Sequence, residues 1–294
     1  MLGLSGVLMV TKQAPGQSDP FYSPVHTEGW FTADIQYGPF SAEKLDVCTP
    51  TGSGRTHAGI LLIHGGSWVE GDKSGNLHAI CEKMSNAGFV AVNIDYRLAN
   101  KATPTPGWPA TQVGDSQLAL RWMRVHSAEI GLDPSRICVY GVSAGGYLTL
   151  YLGTTQRIVP SDVANIAPHV PVTISCMIDA FGPTNFTSSG GWTKQTLPML
   201  GFPYNSNPEA YKRISPLFHV SAKTPPTLII HGDRDHLVPI KQSEELHKAL
   251  KANHIPAQLF IYHGGHGYRF VTPDEKKMIW QQIIQFAQGN TVSR

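Results

Sequence analysis

The stretch Ile137-Cys138-Val139-Tyr140-Gly141-Val142-Ser143-Ala144-Gly145-Gly146 runs a short apolar segment into a serine flanked by glycines, and Tyr147 to Leu152 continues it with helical character. The pattern predicts a strand, a tight turn and a helix. Glycines two positions before and after Ser143 let the strand and helix backbones come close enough to hold a strained elbow, with the hydroxyl turned away from the core. The helix start behind it supplies oriented backbone donors and a positive dipole end, both suited to a developing oxyanion. Ser143 therefore reads as a nucleophile. A Gly-x-Ser-x-Gly segment also arises by chance or for packing alone, so the remaining parts of a site must be sought elsewhere in the chain.

A serine hydroxyl needs a base, and the base needs an orienting carboxylate. Thr227-Leu228-Ile229-Ile230 predicts a strand that runs into His231-Gly232-Asp233-Arg234-Asp235-His236-Leu237-Val238-Pro239, a loop rich in turn residues and acids. Ala257 to Tyr262 predicts another, ending in His263-Gly264-Gly265-His266-Gly267-Tyr268. The chain order of Ser, Asp and His is the one used by α/β-hydrolases. On chemistry alone, either Asp233 or Asp235, and either His263 or His266, could face the serine.

A further apolar run, Ile60 to Ile63, leads into His64-Gly65-Gly66-Ser67-Trp68. Backbone amides just past such a strand are free to donate to an oxygen that becomes negative, and one such donor contributes about 3 kcal/mol to the transition state. Gly66, Ser67 and Ala144 are the candidate oxyanion donors. His64 reads as a brace for this loop and not as the base.

In combination these segments resemble the hormone-sensitive-lipase-like esterases and, more closely, the acetylxylan and feruloyl esterase-like branch of the α/β-hydrolase superfamily. The residues that carry the likeness are His64 to Trp68, Tyr96-Arg97-Leu98, Leu132-Asp133-Pro134-Ser135-Arg136-Ile137, Gly141 to Gly146, Pro225-Pro226-Thr227-Leu228, His231-Gly232 with Asp235 and Val238-Pro239, and His266-Gly267-Tyr268. The likeness spans roughly residues 32 to 288. It implies an α/β-hydrolase fold, with Ser143 as nucleophile, Asp235 as acid, His266 as base and an oxyanion hole from Gly66, Ser67 and Ala144. Asp233 and His263 are then turn formers. Ser67 stands where many lipase-like relatives have a third glycine, and a positive φ there would strain it.

The activity implied is that of a serine carboxylic ester hydrolase working through an acyl-enzyme on small to medium acyl or aryl esters, acetyl or feruloyl esters of plant-wall sugars among them. An arylformamidase-like amide hydrolase would share the triad, and a non-catalytic binding protein on the same fold is the reading from a different class. Neither a metal nor an organic cofactor is called for. Trp68, Trp192 and Val238 are the candidate pocket walls.

Composition agrees with this reading. With 294 residues, 41% hydrophobic and 15% charged, the chain suits one folded α/β domain. A formal charge of +2 without a basic block gives no case for a nucleic-acid partner. The thirteen histidines are scattered, and no pair has metal-site spacing. Cys48, Cys81, Cys138 and Cys176 each lie in apolar surroundings and read as free, buried small hydrophobes. No run of eighteen apolar residues predicts a membrane span, and Met1 to Val10 lacks the basic start of a signal peptide. Asn185-Phe186-Thr187 is a glycosylation sequon for a chain that meets that machinery. Compartment and oligomeric state stay open.

Strands and helices alternate as in a mostly parallel sheet covered on both faces. Expected strands are Thr32 to Tyr37 and Glu43 to Cys48 as an antiparallel pair, then Gly59 to Ile63, Phe89 to Asp95, the nucleophile strand, Val172 to Ala180, and the two late strands. Expected helices are Leu77 to Ala87, Pro109 to Ile130, the one behind Ser143, Ser243 to Lys251 and Asp274 to Phe286. Residues 1–30 read as an N-terminal arm, 31–294 as the hydrolase domain, and 182–219 as a small lid or pocket-wall insertion.

Overall fold

Ile60, Leu61, Leu62 and Ile63 show no polar alternation because both faces of their strand are covered. Leu61 and Ile63 belong to one buried cluster, Ile60 and Leu62 to another. A computed structural model describes residues 20–25, 27, 29–52, 56–100, 108–187 and 199–292 of the chain. Within them one sheet holds eight strands: β1 (Phe31–Gln36), β2 (Lys44–Cys48), β3 (His57–Ile63), β4 (Val90–Ile94), β5 (Leu132–Val142), β6 (Cys176–Ala180), β7 (Thr227–Gly232) and β8 (Ala257–Tyr262). Their spatial order is β1-β2-β4-β3-β5-β6-β7-β8. β2 runs antiparallel to both β1 and β4, and the remaining neighbours are parallel. This is the α/β-hydrolase architecture expected.

On one face lie α2 (Ala110–Val125) and α3 (Ala144–Thr155), which supply Val113, Leu118, Trp122, Tyr147 and Leu148 to the core. On the other lie α1 (Asn76–Asn86) and a C-terminal helix, Pro273–Gly289, which supply Leu77, Ile80, Ile279 and Ile283. Fully burying an aliphatic side chain of this size stabilises by about 1.5–3 kcal/mol. The C-terminal helix starts on a capping box, with Thr272 accepting from the Glu275 amide and Glu275 reaching back to the Thr272 backbone. Two further helices, Pro208–Arg213 and Lys241–Ala252, lie between β6 and β8. Among the described residues no helix is long and apolar enough to cross a membrane.

Three expectations are corrected. The helix predicted to reach Ile130 stops at Val125, because His126 turns its ring nitrogens to Phe21 O at 2.7 Å and Glu129 Oε2 at 3.1 Å, and its carbonyl accepts from Glu129 and Ile130 in a closing turn. The strand predicted from Val172 starts at Cys176, since the ladder is first joined where the Ser175 amide meets Ile137 O. The four cysteines are not free: Cys48 is bonded to Cys81 and Cys138 to Cys176. The second bridge joins directly opposed positions of β5 and β6. The described end of the expected N-terminal arm is docked, with Phe21 wholly buried in the core.

The segment that follows β6 is tied down at its start. Gln242 Oε1 accepts from the amides of Thr184 and Asn185 at 2.9 and 2.7 Å. Asn185 is 7% exposed, and its Oδ1 accepts from the Thr187 amide and hydroxyl. The sequon asparagine thus serves as a turn brace.

Candidate active site

The turn between β5 and α3 holds Ser143 at φ 54°, ψ −116°, a left-handed conformation that costs a non-glycine residue roughly 1–3 kcal/mol. The surroundings over-determine it. The Ser143 amide donates to Ala180 O at 2.8 Å, and a Cβ on Gly145 would lie 2.1 Å from Ile63 O. Only glycine there lets the elbow close onto the end of β3, which brings the His64–Trp68 loop beside the serine.

His266 Nε2 lies 2.8 Å from Ser143 Oγ, and His266 Nδ1 lies 2.7 Å from Asp235 Oδ2. The three side chains come from loops at the carboxyl ends of β5, β7 and β8. Asp235 Oδ1 accepts from the amides of Leu237 and Val238, both at 2.8 Å, so the carboxylate is clamped by its own turn. Burial alone would raise the Asp235 pKa, but the nearby His231 N–H and the hydrogen bonds from His266 and the Val238 amide outweigh it and hold the carboxyl well below the usual range. The His266 ring is 19% exposed and packs edge-on to Phe181, with centroids 4.8 Å apart.

The alternatives within the two loops are separated. His263 Nδ1 pairs with Asp233 Oδ2 at 2.7 Å on the surface, and Asp233 Oδ1 accepts from the Gly264 amide at 3.1 Å. Each is the other's partner, beyond the turn-forming role expected of them.

In the β3 loop, Gly66, Ser67 and Trp68 have φ of 110°, 51° and 63°. Ser67 thus carries the positive φ that strains a non-glycine residue. Among the described residues no acceptor is bonded to the Gly66 or Ser67 amides, and the Ala144 amide, in the first turn of α3, has no intrahelical partner. His64 stacks on Tyr96 with centroids 4.2 Å apart, and its Nδ1 lies 2.6 Å from Gly65 O. Burial lowers its pKa. It braces the loop, as expected.

The pocket-wall expectations fare differently. Trp68 is 1% exposed and packs edge-on against Trp108 and Tyr147, both at 5.2 Å between centroids, so it is core and not open wall. Val238 is likewise wholly buried, and its backbone serves the acid turn. Trp192 lies outside the described residues. Sequence reasoning passed over Phe181, which flanks His266, and two polar groups below the site. Asp179 at the end of β6 is wholly buried with Oδ1 accepting from the Gly182 amide, and burial pushes its carboxyl up to about 7. His231, at the end of β7, is the other. A residue at the carboxyl end of a parallel strand is the available signal for both. Among the described residues no cluster of three or more His, Cys, Asp or Glu is arranged to hold a metal ion.

Residues 45–250 match the BD-FAE family. The probable carboxylic ester hydrolase LipM of Mycobacterium tuberculosis is 30% identical over 222 residues, covering 71% of this chain and 49% of LipM. Among solved structures, a truncated carbohydrate esterase from gut microbiota superposes with TM-score 0.77 at 24% identity, covering 90% of this chain and 99% of that one. The propionate-bound esterase Est2 of Thermogutta terrifontis superposes with TM-score 0.65 at 26% identity, covering 84% and 88%. The chain spans about half the length of the curated relatives it matches, 49%, 54% and 52% for the mycobacterial esterases LipM, LipC and LipQ. On the extent of the family match, the chain belongs to the BD-FAE family.

Proposed function

We propose that the chain is a serine carboxylic ester hydrolase with Ser143 as nucleophile, His266 as base and Asp235 as orienting acid. The observation that carries the reading is the unbroken hydrogen-bonded line from Ser143 Oγ through both nitrogens of His266 to Asp235 Oδ2, at 2.8 and 2.7 Å. His266 Nε2 takes the hydroxyl proton as Oγ attacks an ester carbonyl, and Asp235 stabilises the imidazolium that forms. Charge gathers on the carbonyl oxygen, where the amides of Gly66, Ser67 and Ala144 receive it. The imidazolium then protonates the leaving alcohol. A water activated by the same base attacks the acyl-enzyme, releasing the acid and restoring Ser143.

Small to medium acyl or aryl esters are the substrates we propose, acetyl and feruloyl esters of plant-wall sugars first among them. Membership of the BD-FAE family and the likeness to an esterase solved with propionate support the class. Residues 182–219 are the small lid or pocket wall in this reading, of which 188–198 lie outside the described residues. Phe186 and Met199 anchor this stretch in the core cluster that holds Trp68.

The test is hydrolysis of a short nitrophenyl ester by the parent chain and by Ser143→Ala, which should retain only a residual rate, lower by about four to six orders of magnitude. Equal rates would sink the assignment. A panel with acetylated xylan, methyl ferulate and an aryl formamide on one preparation then orders the substrate classes, and faster turnover of the formamide would favour the amidase. Failure of a serine-reactive phosphonate to label Ser143 in the folded chain would point to a binding protein.

A further inference from the structure

His231, at the end of β7, lies beside Asp235. It is wholly buried, and both ring nitrogens are engaged: Nε2 lies 2.8 Å from Val238 O and Nδ1 lies 2.6 Å from the Ser243 hydroxyl. The same Nε2 lies 3.5 Å from Asp235 Oδ2, the oxygen that also takes the His266 Nδ1–H at 2.7 Å. Val238 O and Asp235 Oδ2 are both acceptors, so the hydrogen sits on Nε2 and Nδ1 receives the Ser243 hydroxyl proton. At 3.5 Å the Asp235 contact is electrostatic, with the shorter hydrogen bond going to Val238.

The arrangement closes a ring of contacts. His231 holds the Val238 carbonyl, the Val238 amide holds Asp235 Oδ1, and Asp235 Oδ2 faces back to His231. Ser243 fixes the imidazole from the first turn of the helix Lys241–Ala252. The ionisable groups around this ring are His266 from the loop after β8, Tyr262 at the end of β8 and Asp179 at the end of β6, facing His231. Among the described residues, His266 and His231 are the side chains that bring an N–H toward Asp235 Oδ2.

We propose that His231 is a positioning residue for the candidate triad: locked by Ser243, it fixes the acid turn through Val238 and shares the charge of Asp235 with His266. The inference rests on the reading of Ser143, His266 and Asp235 given above. Without the second N–H, more of the carboxylate's charge falls on His266, and the turn carrying Asp235 loses its inner anchor.

The primary readout needs no turnover: the strongly downfield proton resonance of His266 Nδ1–H against Asp235, followed by NMR in the folded chain. It should be present in the parent, move in His231→Leu, and return toward the parent position in His231→Gln, whose amide can still donate. With a nitrophenyl ester, His231→Leu should lower kcat/KM about 10- to 100-fold, mainly through kcat, as expected of a misplaced catalytic group. The acid limb of its pH–rate profile should shift upward. Ser243→Ala, which frees the ring but leaves it in place, should move the resonance in the same direction by less, and decides the matter if the leucine variant does not fold. A resonance unmoved in the variant that folds, with only a lowered melting temperature, overturns the proposal, as does its absence from the parent. A moved resonance in a chain that hydrolyses no ester would leave the positioning role standing and remove the ester hydrolase reading.

Discussion

Asp233 holds His263 at 2.7 Å, the distance at which Asp235 holds His266, and the two pairs come from the same two loops. Only the second is in line with Ser143. The difference is burial: the Asp235 side chain is sealed from water, whereas those of Asp233 and His263 are 39% and 61% exposed. An exposed carboxylate–histidine pair is screened by water and contributes little.

His263→Ala and Asp233→Asn should therefore hydrolyse a nitrophenyl ester within a few-fold of the parent rate. Asp235→Asn should lose about four orders of magnitude in kcat, because an amide no longer fixes the imidazole tautomer. Steady-state kinetics on the variants would check this. A large loss at His263 with little at His266 would reverse the assignment.

The strands and the order of the candidate site residues were legible because β3, β7 and β8 are apolar runs stopped by turn residues, and each stop carries a chemical group. What could not be read depends on which elements become neighbours. Cys48 reaches Cys81 because β2 lies beside β4 and α1 packs over that pair, and Cys138 reaches Cys176 because β5 and β6 lie in register. Neither adjacency is written in the spacing of the cysteines. Trp68, a candidate pocket wall on the sequence, is buried by neighbours distant in the chain. The left-handed backbone at Ser67 and Trp68 goes with an indole buried among Trp108, Tyr147 and Phe186.

The bridges give a prediction of their own. Closing loops with sequence separations of 33 and 38 residues restricts the unfolded chain, and in the chain-entropy view each bridge stabilises by about 4 kcal/mol. Cys138→Ala with Cys176→Ala should lower the urea midpoint accordingly. Alkylation of the unreduced, denatured parent should label none of the four cysteines, and labelling of all four would remove the bridges from the account.

Ser67 tests the proposed oxyanion role of its loop. What it offers is its amide, at a φ of 51° that glycine adopts without strain. Ser67→Gly should keep activity within a few-fold and equal or exceed the parent in melting temperature. Ser67→Pro removes the N–H and cannot hold a positive φ, so it should lose about 100- to 1000-fold in kcat, as for one oxyanion donor. Gly66→Ala should be as damaging by another route, because its Cβ would lie 1.9 Å from Glu70 O. Rates and melting curves for the three variants separate donor from side chain, and a Ser67→Gly variant as inactive as Ser67→Pro would show that the hydroxyl itself is needed.

Asp179 should leave a mark on the pH dependence of stability. Burial, countered in part by His231 and the Gly182 amide, raises its folded pKa from an ordinary 3.8 to about 7. A raised carboxyl pKa means that the folded chain holds this proton where the unfolded chain has released it. The contribution is fully present below the unfolded value, falls as pH rises between about 4 and 7, and is gone above that window, a loss of roughly 4 kcal/mol. Asp179→Asn keeps an oxygen for the Gly182 amide and cannot ionise. Its unfolding free energy relative to the parent, measured in urea from pH 4.5 to 8.5, should therefore rise with pH and level off near 8, with the variant the more stable at the alkaline end. Other titrating groups are common to both chains and cancel in that difference. A difference flat across the range would mean that Asp179 carries its charge inside the fold at no cost.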